Sequence, residues 1–191
     1  QLSGLEFIYK MPGSVGGSLW MNARCYGTSL GEVPGSVHFL DEALVHQSLL
    51  LPDPHFAYKK SPFQASDVIL LYAEFRLQSG ESEAIWQRMH EVAEDRRTKG
   101  HFEYPSAGSV FKNNRSFGQP SGKILDELGL RGLAYGGAQI APFHANIIIN
   151  TGSASAEDVR HLILHAQQTA YKKRNIVLEP EIRLVGDWSD A

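Results

Sequence analysis

Alternating apolar and polar positions predict strands in the first half of this chain. Residues Val37 to Gln47 alternate loosely and are rich in Val, Leu and Phe, which indicates a strand or a hairpin arm. Residues Asp67 to Gln78 begin with an apolar run and end in alternation, which is typical of a strand that starts in a buried region. Nearer the start, Ser18 to Ala23 follow a glycine-rich loop and predict a short helix.

A three- and four-residue spacing of apolar positions predicts a helix from Glu81 to Lys99. Ile85, Met89 and Val92 share one face at this spacing. Acidic residues lie near the beginning and basic residues near the end, as the helix dipole favours. Gly100 then provides a stop signal.

Two further helices are predicted in the second half of the chain. Residues Ser121 to Gly129 begin with a serine and end with a glycine, which suits a compact helix. Ser155 and Asp158 have the spacing of a capping box, so we expect a helix to follow and to run to about Lys173.

The remaining apolar segments of the second half predict strands, from His144 to Asn150 and from Ile176 to Val185. The elements lack a regular strand–helix alternation, which favours an α+β fold. The pattern changes from strands to a helix and then to a loop around Ser109, so a subdomain boundary is predicted near residue 98.

Composition and charge restrict the possible functions. The 191 residues are 42% hydrophobic and 20% charged, which suits a globular chain with one large domain or two small ones. The net charge is −3 and the basic residues are scattered, so no nucleic-acid surface is predicted. No apolar run approaches the roughly 18 residues that a membrane span needs. The single cysteine, Cys25, cannot form an internal disulfide and suits a reducing compartment.

The segment from Tyr104 to Asn113 is the first candidate for chemistry. Pro105 and Gly108 provide a rigid and a permissive backbone position, between which Ser109 can face a pocket at a bend. An ordinary turn into a strand through residues 110–111 explains the same residues. If Ser109 takes part in catalysis, it is more readily a proton donor than a nucleophile, because the flanking glycine pattern of a nucleophile elbow is absent.

A serine hydroxyl is a poor acid, so it needs a carbanion or enolate to protonate and cations that stabilise its alkoxide. Lys112 and the pair Lys59 and Lys60 are the candidate cations. Glu181 is a candidate for orienting or relaying a proton, and Arg183 follows two residues later on the same side of the predicted strand. The same glutamate and arginine also fit an exposed ladder pair.

The spacing of His161 and His165 is the feature of the sequence that best resembles a metal site. They lie four residues apart on a predicted helix, but no third ligand or adjacent glutamate completes the zinc-protease pattern. A solvated helix face explains the pair, and no metal site is predicted.

Several motifs occur in the order that characterises one known family. A glycine-rich loop comes first, a serine motif with the sequence PSAGSVFKN follows, and histidine and glutamate motifs close the series. Together they resemble the UDP-N-acetylenolpyruvoylglucosamine reductase (MurB) family over almost the whole chain. The motifs are residues 12–17 with 21–23 and 26–27, residues 105–113, residues 136–138, residues 144–146 with Asn150, and residues 179–183.

The resemblance implies a cytoplasmic enzyme of peptidoglycan precursor synthesis. NADPH would reduce bound FAD, and the enolpyruvyl sugar nucleotide would then take a hydride from the flavin at one vinyl carbon and a proton at the other. The expected partners are this sugar nucleotide and NADPH, with no nucleic acid and no membrane, and the expected state is a monomer.

The resemblance also implies roles for individual residues. Ser109 matches the serine that delivers the proton, and Glu181 matches the catalytic glutamate. Lys59 stands where the family usually has an arginine that polarises the substrate carboxylate. The expected substrate-binding residues are Tyr58, Lys112, Asn113 and His144, and the expected cofactor-binding residues are Pro12, Gly13, Ser14, Gly16, Gly17, Asn22 and Arg183.

By this resemblance, residues 1–98 are the second part of an FAD-binding lobe, 99–175 are a substrate-binding lobe and 176–191 are a tail that returns to the flavin lobe. The chain is expected to be the later part of a longer protein, to lack the segment that supplies much of the FAD pyrophosphate site, and to belong to the compact subgroup. Residues 1–191 alone are therefore expected to bind FAD poorly.

The lysine at position 59 is the main departure from the family pattern. Lysine keeps the positive charge of arginine but loses the bidentate fork, so Lys60 is a candidate to share its task. Two other functions remain consistent with the sequence. One is an FAD-linked oxidoreductase that acts on another substrate, and the other is a sugar-nucleotide-binding module without catalysis.

Overall fold

The computed structural model describes residues 1–188 and divides the chain into two compact units, Gln1–Asp95 and Arg96–Ala191. Each unit combines helices with antiparallel strands, which confirms the predicted α+β class. None of the helices within residues 1–188 is long and apolar enough to cross a membrane.

The first unit is built on a three-stranded sheet. In chain order its elements are β1 (Leu2–Ser3), α1 (Val15–Trp20), β2 (Arg24–Cys25), β3 (Thr28–Ser29), β4 (Gly35–Leu40), β5 (His46–Leu51), β6 (Ile69–Phe75), β7 (Gln78–Ser79) and α2 (Ser82–Thr98), the last of which extends past Asp95. Strand β4 lies between β5 and β6, and both neighbours are antiparallel to it. The two-stranded pairs β1–β7 and β2–β3 complete the strands of this unit within the described residues.

The hairpin of β4 and β5 explains the loose alternation that predicted a strand or hairpin arm. Val37 is fully buried in the core of the unit, and Phe39 and Leu49 pack against the same core. The Asp41 carboxylate accepts the backbone N–H groups of Ala43 and Val45, so it closes the turn that the alternation ran across. The predicted strand of residues 67–78 is present as the shorter β6.

Helix α1 begins earlier than the sequence predicted. Ser14 is its N-cap, and the Ser14 hydroxyl accepts the backbone N–H of Gly17, so the helix covers Val15–Trp20 and not residues 18–23. The prediction of α2 is confirmed to within a residue at each end. The stop at Gly100 is also observed, since this glycine has the left-handed φ of 73°.

The second unit is a four-stranded antiparallel sheet with helices packed on it. Its elements are β8 (Ser106–Ser109), α3 (Ser121–Glu127), β9 (Ala134–Tyr135), β10 (Ala138–Ile140), β11 (Ile147–Asn150) and α4 (Ala156–Arg174), and the strand order is β8-β11-β10-β9. Strand β11 is buried on both faces: Ile148 belongs to the core that contains α4, while Ile147 and Ile149 form a second cluster with Phe143.

The helix caps of this unit test two sequence predictions. The capping box of Ser155 and Asp158 is confirmed at the start of α4, and the helix ends at Arg174. Helix α3 is also confirmed, but its N-cap is Pro120 and Ser121 is the first helical residue. The Ser121 side chain is fully buried and donates to the carbonyl of Lys112, so it ties the helix to a neighbouring segment instead of capping it.

The predicted strand from Ile176 to Val185 is wrong. Within the described residues of this segment, Pro180 forms an isolated bridge with Phe111, and no regular strand extends from it. Proline has no N–H to donate, so a ladder is interrupted at this position. The argument that Glu181 and Arg183 share one side of a strand therefore does not hold. Residues 176–188 group with the second unit here, and the predicted return of the tail to a flavin lobe remains a prediction.

Strand β11 is shorter than predicted, because residues 144–146 form a turn before it. The backbone N–H of His144 bonds to the carbonyl of Ala141, and the N–H of Ile147 bonds to the carbonyl of His144. The turn places His144 and Asn146 at the end of the sheet next to the segment that follows Ser109.

Candidate active site

A bulge in β8 places Ser109 at the end of a strand. Ile147 of β11 is paired with Ser109 and Ile149 with Ser106, so β8 has one extra residue between the two pairs. Gly108 lies in this bulge with φ of 81°, a left-handed conformation that glycine adopts without steric cost. The expectation of a permissive backbone position beside the serine is thus met, although the strand ends at Ser109 and does not continue through residues 110–111.

The backbone after Ser109 is held by the side chain of Asn146. The Asn146 Oδ1 accepts the N–H of Phe111 at 2.9 Å, and Nδ2 donates to the carbonyl of the same residue at 2.8 Å. The backbone carbonyl of Asn146 also accepts the N–H of Val110 at 2.8 Å. Asn146 is 4% exposed, so these hydrogen bonds form in a site that excludes bulk water.

The other backbone groups of residues 110–112 are bonded by two further segments. The N–H of Glu181 donates to the carbonyl of Val110 at 2.7 Å, and the N–H of Lys112 donates to the carbonyl of Glu179 at 2.9 Å. The Ser121 hydroxyl donates to the carbonyl of Lys112 at 2.6 Å. Every N–H and C=O of residues 110–112 therefore has a partner, and the backbone that carries Ser109 is rigid on this side.

Ser109 lines a half-open cavity of about 410 Å³ in the second unit. The side chain is exposed, so its hydroxyl is not part of the packed interior. The cavity lining is mostly polar and combines the predicted Ser109, Asn113 and His144 with charged residues from α3 and the loop after it. Its lining residues are Ser109, Asn113, Pro120, Gly122, Lys123, Asp126, Arg131, His144, Ala145 and Asn146.

His144 enters this cavity as a neutral imidazole. Burial lowers the pKa of the His144 ring below its ordinary value of 6.5, and the nearby Arg131 guanidinium lowers the pKa further. The Nδ1 atom accepts the backbone N–H of Asn146 at 3.1 Å, so the ring proton resides on Nε2. The ring is thereby oriented as a hydrogen-bond donor at its outer nitrogen.

The charges that line the cavity come from residues that the sequence did not single out. Lys123 contributes an exposed ammonium group, and Arg131 is bound to Asp126 through two nitrogen atoms at 2.5 and 2.7 Å. The Lys112 ammonium, which was expected near Ser109, instead bonds to the Glu179 carboxylate at 2.6 Å. The cavity lining thus contains two cations and one carboxylate, and Lys112 is not among its members.

Asn113 has a structural partner in addition to its place in the cavity lining. Its side-chain Oδ1 accepts the N–H of Ser121 at 2.9 Å, which satisfies an N–H at the start of α3. This bond and the Ser121 hydroxyl bond to Lys112 join both residues of the predicted substrate-binding pair to the same helix. The pair is therefore held in place from α3.

The catalytic candidate Glu181 is brought close to Ser109 along the backbone. Its N–H bonds to the carbonyl of Val110, the residue that follows Ser109. Glu181 is half-buried and Arg183, two residues later, is exposed. The structure therefore groups Ser109, Asn113, His144 and Glu181 in one unit around the same segment.

Tyr58 and Lys59 lie in the first unit, at the tip of a two-residue hairpin. Ala57 and Lys60 exchange backbone hydrogen bonds of 3.1 Å across it, and Lys59 adopts a left-handed φ of 56°. The Lys59 carbonyl accepts the side-chain amide of Gln64 at 3.2 Å. A left-handed lysine is costly unless its surroundings hold it, so this turn is a fixed feature of the unit.

Asn22 supports this turn from beneath. It is 3% exposed, its Nδ2 donates to the carbonyl of Ala57 at 2.8 Å, and its Oδ1 accepts the N–H of Gly31 at 2.9 Å. Both ends of the amide are thus bonded within the first unit. The side chain of Asn22 thus positions the hairpin that carries Tyr58 and Lys59, and its expected contact with the cofactor stays a prediction.

The remaining cofactor candidates of the first unit form an accessible loop of small residues. Pro12, Gly13 and Ser14 are exposed, and no atom lies within 4 Å of a Cβ added at Gly13, whose φ is 119°. The nearest atom to a Cβ added at Gly16 is 3.9 Å away. The bare backbone of residues 12–17 fits a bound group that lies against the loop, such as part of a dinucleotide. Arg183, the other cofactor candidate, belongs to the second unit.

The described residues contain no group of three or more His, Cys, Asp or Glu side chains that could bind a metal ion. His161 stacks on Tyr135, with ring centroids 3.6 Å apart and planes within 8° of each other. The histidine therefore has a packing role on the surface of α4.

The chain is similar to known proteins over almost its whole length. Residues 100–185 match the family described as UDP-N-acetylenolpyruvoylglucosamine reductase, C-terminal domain. A protein of Treponema denticola named UDP-N-acetylenolpyruvoylglucosamine reductase is 45% identical over 200 residues, which cover 98% of this chain and 62% of that protein. A protein of the same name from Borrelia garinii is 40% identical over 185 residues and is covered to 60% of its length.

The fold is similar to that of a solved structure. The crystal structure of UDP-N-acetylenolpyruvylglucosamine reductase (MurB) from Thermus caldophilus matches 95% of this chain with a TM-score of 0.81 and 32% identity. The match covers 64% of that protein. The chain therefore spans less than two thirds of the length of the relatives and the structure it matches.

Proposed function

Since the chain belongs to the UDP-N-acetylenolpyruvoylglucosamine reductase family, we propose that the complete protein reduces UDP-N-acetylglucosamine enolpyruvate to UDP-N-acetylmuramate. NADPH is the proposed source of the hydride and FAD the proposed carrier. The single observation that carries the proposal is an exposed Ser109 at the wall of a polar cavity, on a backbone whose N–H and C=O groups are all bonded over residues 110–112.

FAD, when bound, supplies the hydride that reduces the vinyl group of the substrate. The loop of residues 12–17 is the part of this chain that would contact it, because its backbone is accessible and carries no large side chain except Val15. The short helix α1 starts inside this loop, and the Ser14 hydroxyl already accepts the N–H of Gly17. The contact is therefore proposed for the remaining backbone of the loop.

Ser109 is proposed to deliver the proton that completes the reduction. Hydride addition to one vinyl carbon leaves electron density on the neighbouring carbon and its carboxylate, and an enolate of this kind is basic enough to take a proton from a serine hydroxyl. Cations around the serine oxygen then stabilise the alkoxide that remains. Lys123 and Arg131 are the cations of the cavity lining, and the carboxylate of Asp126 partly neutralises the charge of Arg131.

Glu181 and Lys59 keep the roles that the family resemblance implies, as parts of the same proposal. Glu181 would orient the serine proton or relay a new one, which agrees with the bond between its N–H and the carbonyl of Val110. Lys59 would bind the substrate carboxylate as a point charge. Tyr58, Asn113 and His144 would contact the sugar nucleotide, and the Nε2–H of His144 is a donor for one of its oxygens.

Replacement of Ser109 by alanine in the complete protein tests this function. We expect flavin reduction by NADPH to proceed at the wild-type rate, because Ser109 has no part in that step. Reoxidation of the reduced flavin by the enolpyruvyl sugar nucleotide should slow by roughly 100-fold or more, the usual effect of losing a positioned acid. Anaerobic stopped-flow absorbance measures the two half-reactions separately.

Ser106→Ala provides a matched control on the same strand. The Ser106 hydroxyl bonds to the N–H of Gly108, and Ser106 does not belong to the cavity lining. Both half-reactions should keep their wild-type rates in this variant. Equal flavin reoxidation rates in the wild type and Ser109→Ala would remove Ser109 from the mechanism. A wild-type reoxidation rate that does not depend on the sugar nucleotide would reject the proposed substrate.

A further inference from the structure

We propose that Asn146 is a positioning residue, which fixes the Ser109 hydroxyl and the His144 ring relative to each other in the cavity. The inference rests on the function proposed above, because it concerns the delivery of the proton by Ser109. The sequence alone gives Asn146 no role beyond its place in the motif of residues 144–146, where it precedes an apolar run.

Asn146 replaces a strand partner for the residues that follow Ser109. Strands β8 and β11 are paired up to Ser109 and Ile147, and beyond this point the side-chain amide of Asn146 takes over. The amide bonds to both the N–H and the C=O of Phe111, while the backbone carbonyl of Asn146 accepts the N–H of Val110. The pairing of the sheet is thus replaced by one amide at the residues that immediately follow the serine.

The same residue also orients the ring of His144. The backbone N–H of Asn146 donates to Nδ1 of His144, so it determines which ring nitrogen carries the proton. Gly122 of α3 also packs against this ring, since a Cβ added there would lie 2.9 Å from Cε1 of His144 and 3.4 Å from Cβ of Asn146. Asn146 therefore contacts the supports of both cavity side chains.

Loss of the Asn146 side-chain amide would also cost free energy. Asn146 is almost fully buried, and removal of its amide would leave the N–H and C=O of Phe111 without partners in a buried site. The peptide would then rotate or admit water to recover hydrogen bonds. Either response moves the end of β8, and displacements of about 1 Å at a reacting group reduce rates by about 100-fold.

Asn146→Asp in the complete protein tests the inference, because the substitution preserves shape and reverses a single bond. The introduced carboxylate still accepts from Phe111 N–H, but its second oxygen faces the Phe111 carbonyl, and the two repel each other. When the carboxyl is protonated it donates to that carbonyl and restores the wild-type pattern. Burial raises the pKa of a carboxyl, so the protonated form is accessible at mildly acid pH.

We expect the substrate-driven reoxidation of the flavin to slow by about 100-fold in Asn146→Asp at high pH, with flavin reduction by NADPH unchanged. The ratio of the variant rate to the wild-type rate should then rise as the pH falls. A purely structural role would affect both half-reactions together through loss of folded protein and would not give this separation. Asn150→Asp is the control at the far end of β11, because the Asn150 Oδ1 accepts the N–H groups of Gly152 and Ala154, and a carboxylate oxygen accepts them equally.

The possible outcomes separate this inference from the proposed function. A wild-type protein whose flavin is not reoxidised by the sugar nucleotide overturns the proposed function, and this inference with it. An active wild type with an equally active Asn146→Asp variant overturns only the inference, as does a rate ratio that is independent of pH. If Asn146→Asp does not fold, Asn146→Ser replaces it, and the same loss in reoxidation alone is expected without recovery at low pH.

Discussion

Gly108 and Gly122 are glycines for physical reasons that the structure separates. A Cβ added at Gly108 meets no atom within 4 Å, so the requirement there is conformational and follows from its φ of 81°. A residue with a Cβ costs roughly 1–2 kcal/mol of free energy in this left-handed region. Gly122 has no positive φ, but a Cβ there would lie 2.9 Å from the His144 ring. One glycine shapes the bulge before Ser109, and the other leaves space for the histidine.

The neutral state of His144 predicts a pH dependence of stability. Its pKa in the folded protein is lowered by burial, whereas the unfolded chain takes up a proton near the ordinary value of 6.5. Below that pH, protons bind the unfolded state more readily and favour it. The stability contributed by the neutral ring is therefore complete above pH 6.5 and is lost as the pH falls through the folded-state pKa.

His144→Gln should remove this part of the pH dependence, because glutamine does not titrate. Urea unfolding of the complete protein and the variant at a series of pH values between mildly acid and neutral measures it. We expect the wild-type free energy of unfolding to fall more steeply with acid than that of the variant. Parallel curves would show that the ring is protonated equally in both states.

Single residues of the candidate site could be predicted to very different degrees. Ser109 was identified because a proline, a glycine and a serine in a short motif indicate a bend, and the family resemblance gave it a role. Lys112 was assigned to the serine by proximity in sequence, but its charge is bound by Glu179, which lies far along the chain. Lys123 and Arg131 reach the cavity only through the packing of α3, so no local pattern points to them.

At the scale of elements, α4 is held at its beginning by more than its own cap. The Asp158 carboxylate accepts the N–H of Ser155 and also the N–H of Gly137 in the turn between β9 and β10. These bonds lower the pKa of Asp158. Gly137 has to be a glycine, because a Cβ there would lie 2.3 Å from the backbone nitrogen of Ala154. One cap thus joins a helix, a loop and a hairpin of the second unit.

Ser155→Ala should therefore lower the free energy of unfolding of the complete protein by about 1 kcal/mol, the usual effect of losing an N-cap hydroxyl. The reason is that the N–H of Asp158 loses the Ser155 oxygen as its acceptor. Chemical denaturation with circular dichroism detection measures the change. Ser153→Ala, an exposed serine two residues earlier, should have almost no effect, and an equal loss in both variants would contradict the role of the cap.

Helices were predicted better than strands because their signals are local. The apolar stripes of α2 and α4, the capping box of α4 and the glycines that follow α2 and α3 lie within or next to each helix. The segment from Ile176 to Val185 has strand-like composition, but Pro180 limits its pairing to one bridge with Phe111. Strand β11 begins later than predicted because residues 144–146 form a turn. Asn146 holds this turn through its bonds to the His144 ring and to the distant Phe111.

At the scale of the whole molecule, each unit has a hydrophobic core of its own. Leu30, Val37 and Phe63 are buried in the core of the first unit. Leu125 and Leu162 are buried in the main core of the second unit, to which Val110 and Phe111 also belong. The two residues that follow Ser109 are therefore part of the packing that stabilises the second unit, and the site depends on that core.

Leu162→Ala should destabilise the second unit by about 2–5 kcal/mol, because it removes a buried side chain and leaves a cavity in that core. In the complete protein, hydrogen exchange read by mass spectrometry should accelerate in the peptides of β8, β10 and β11. Leu30→Ala is the matched substitution in the other core, at the same exposure of 1%. Its effect should concentrate in β4, β5 and β6, and identical exchange patterns for the two variants would show that the cores unfold as one.

The pairing of residues 179–181 with residues 110–112 has a consequence for solubility. Strand β8 is the outermost strand of its sheet, and an outer strand with unused N–H and C=O groups can recruit a strand from another molecule. Directly after β8, the same chain occupies the carbonyl of Val110 and the N–H of Lys112, and Pro180 presents no donor of its own on the outside. The segment that carries Glu181 thereby also disfavours the addition of a strand from another molecule at residues 110–112.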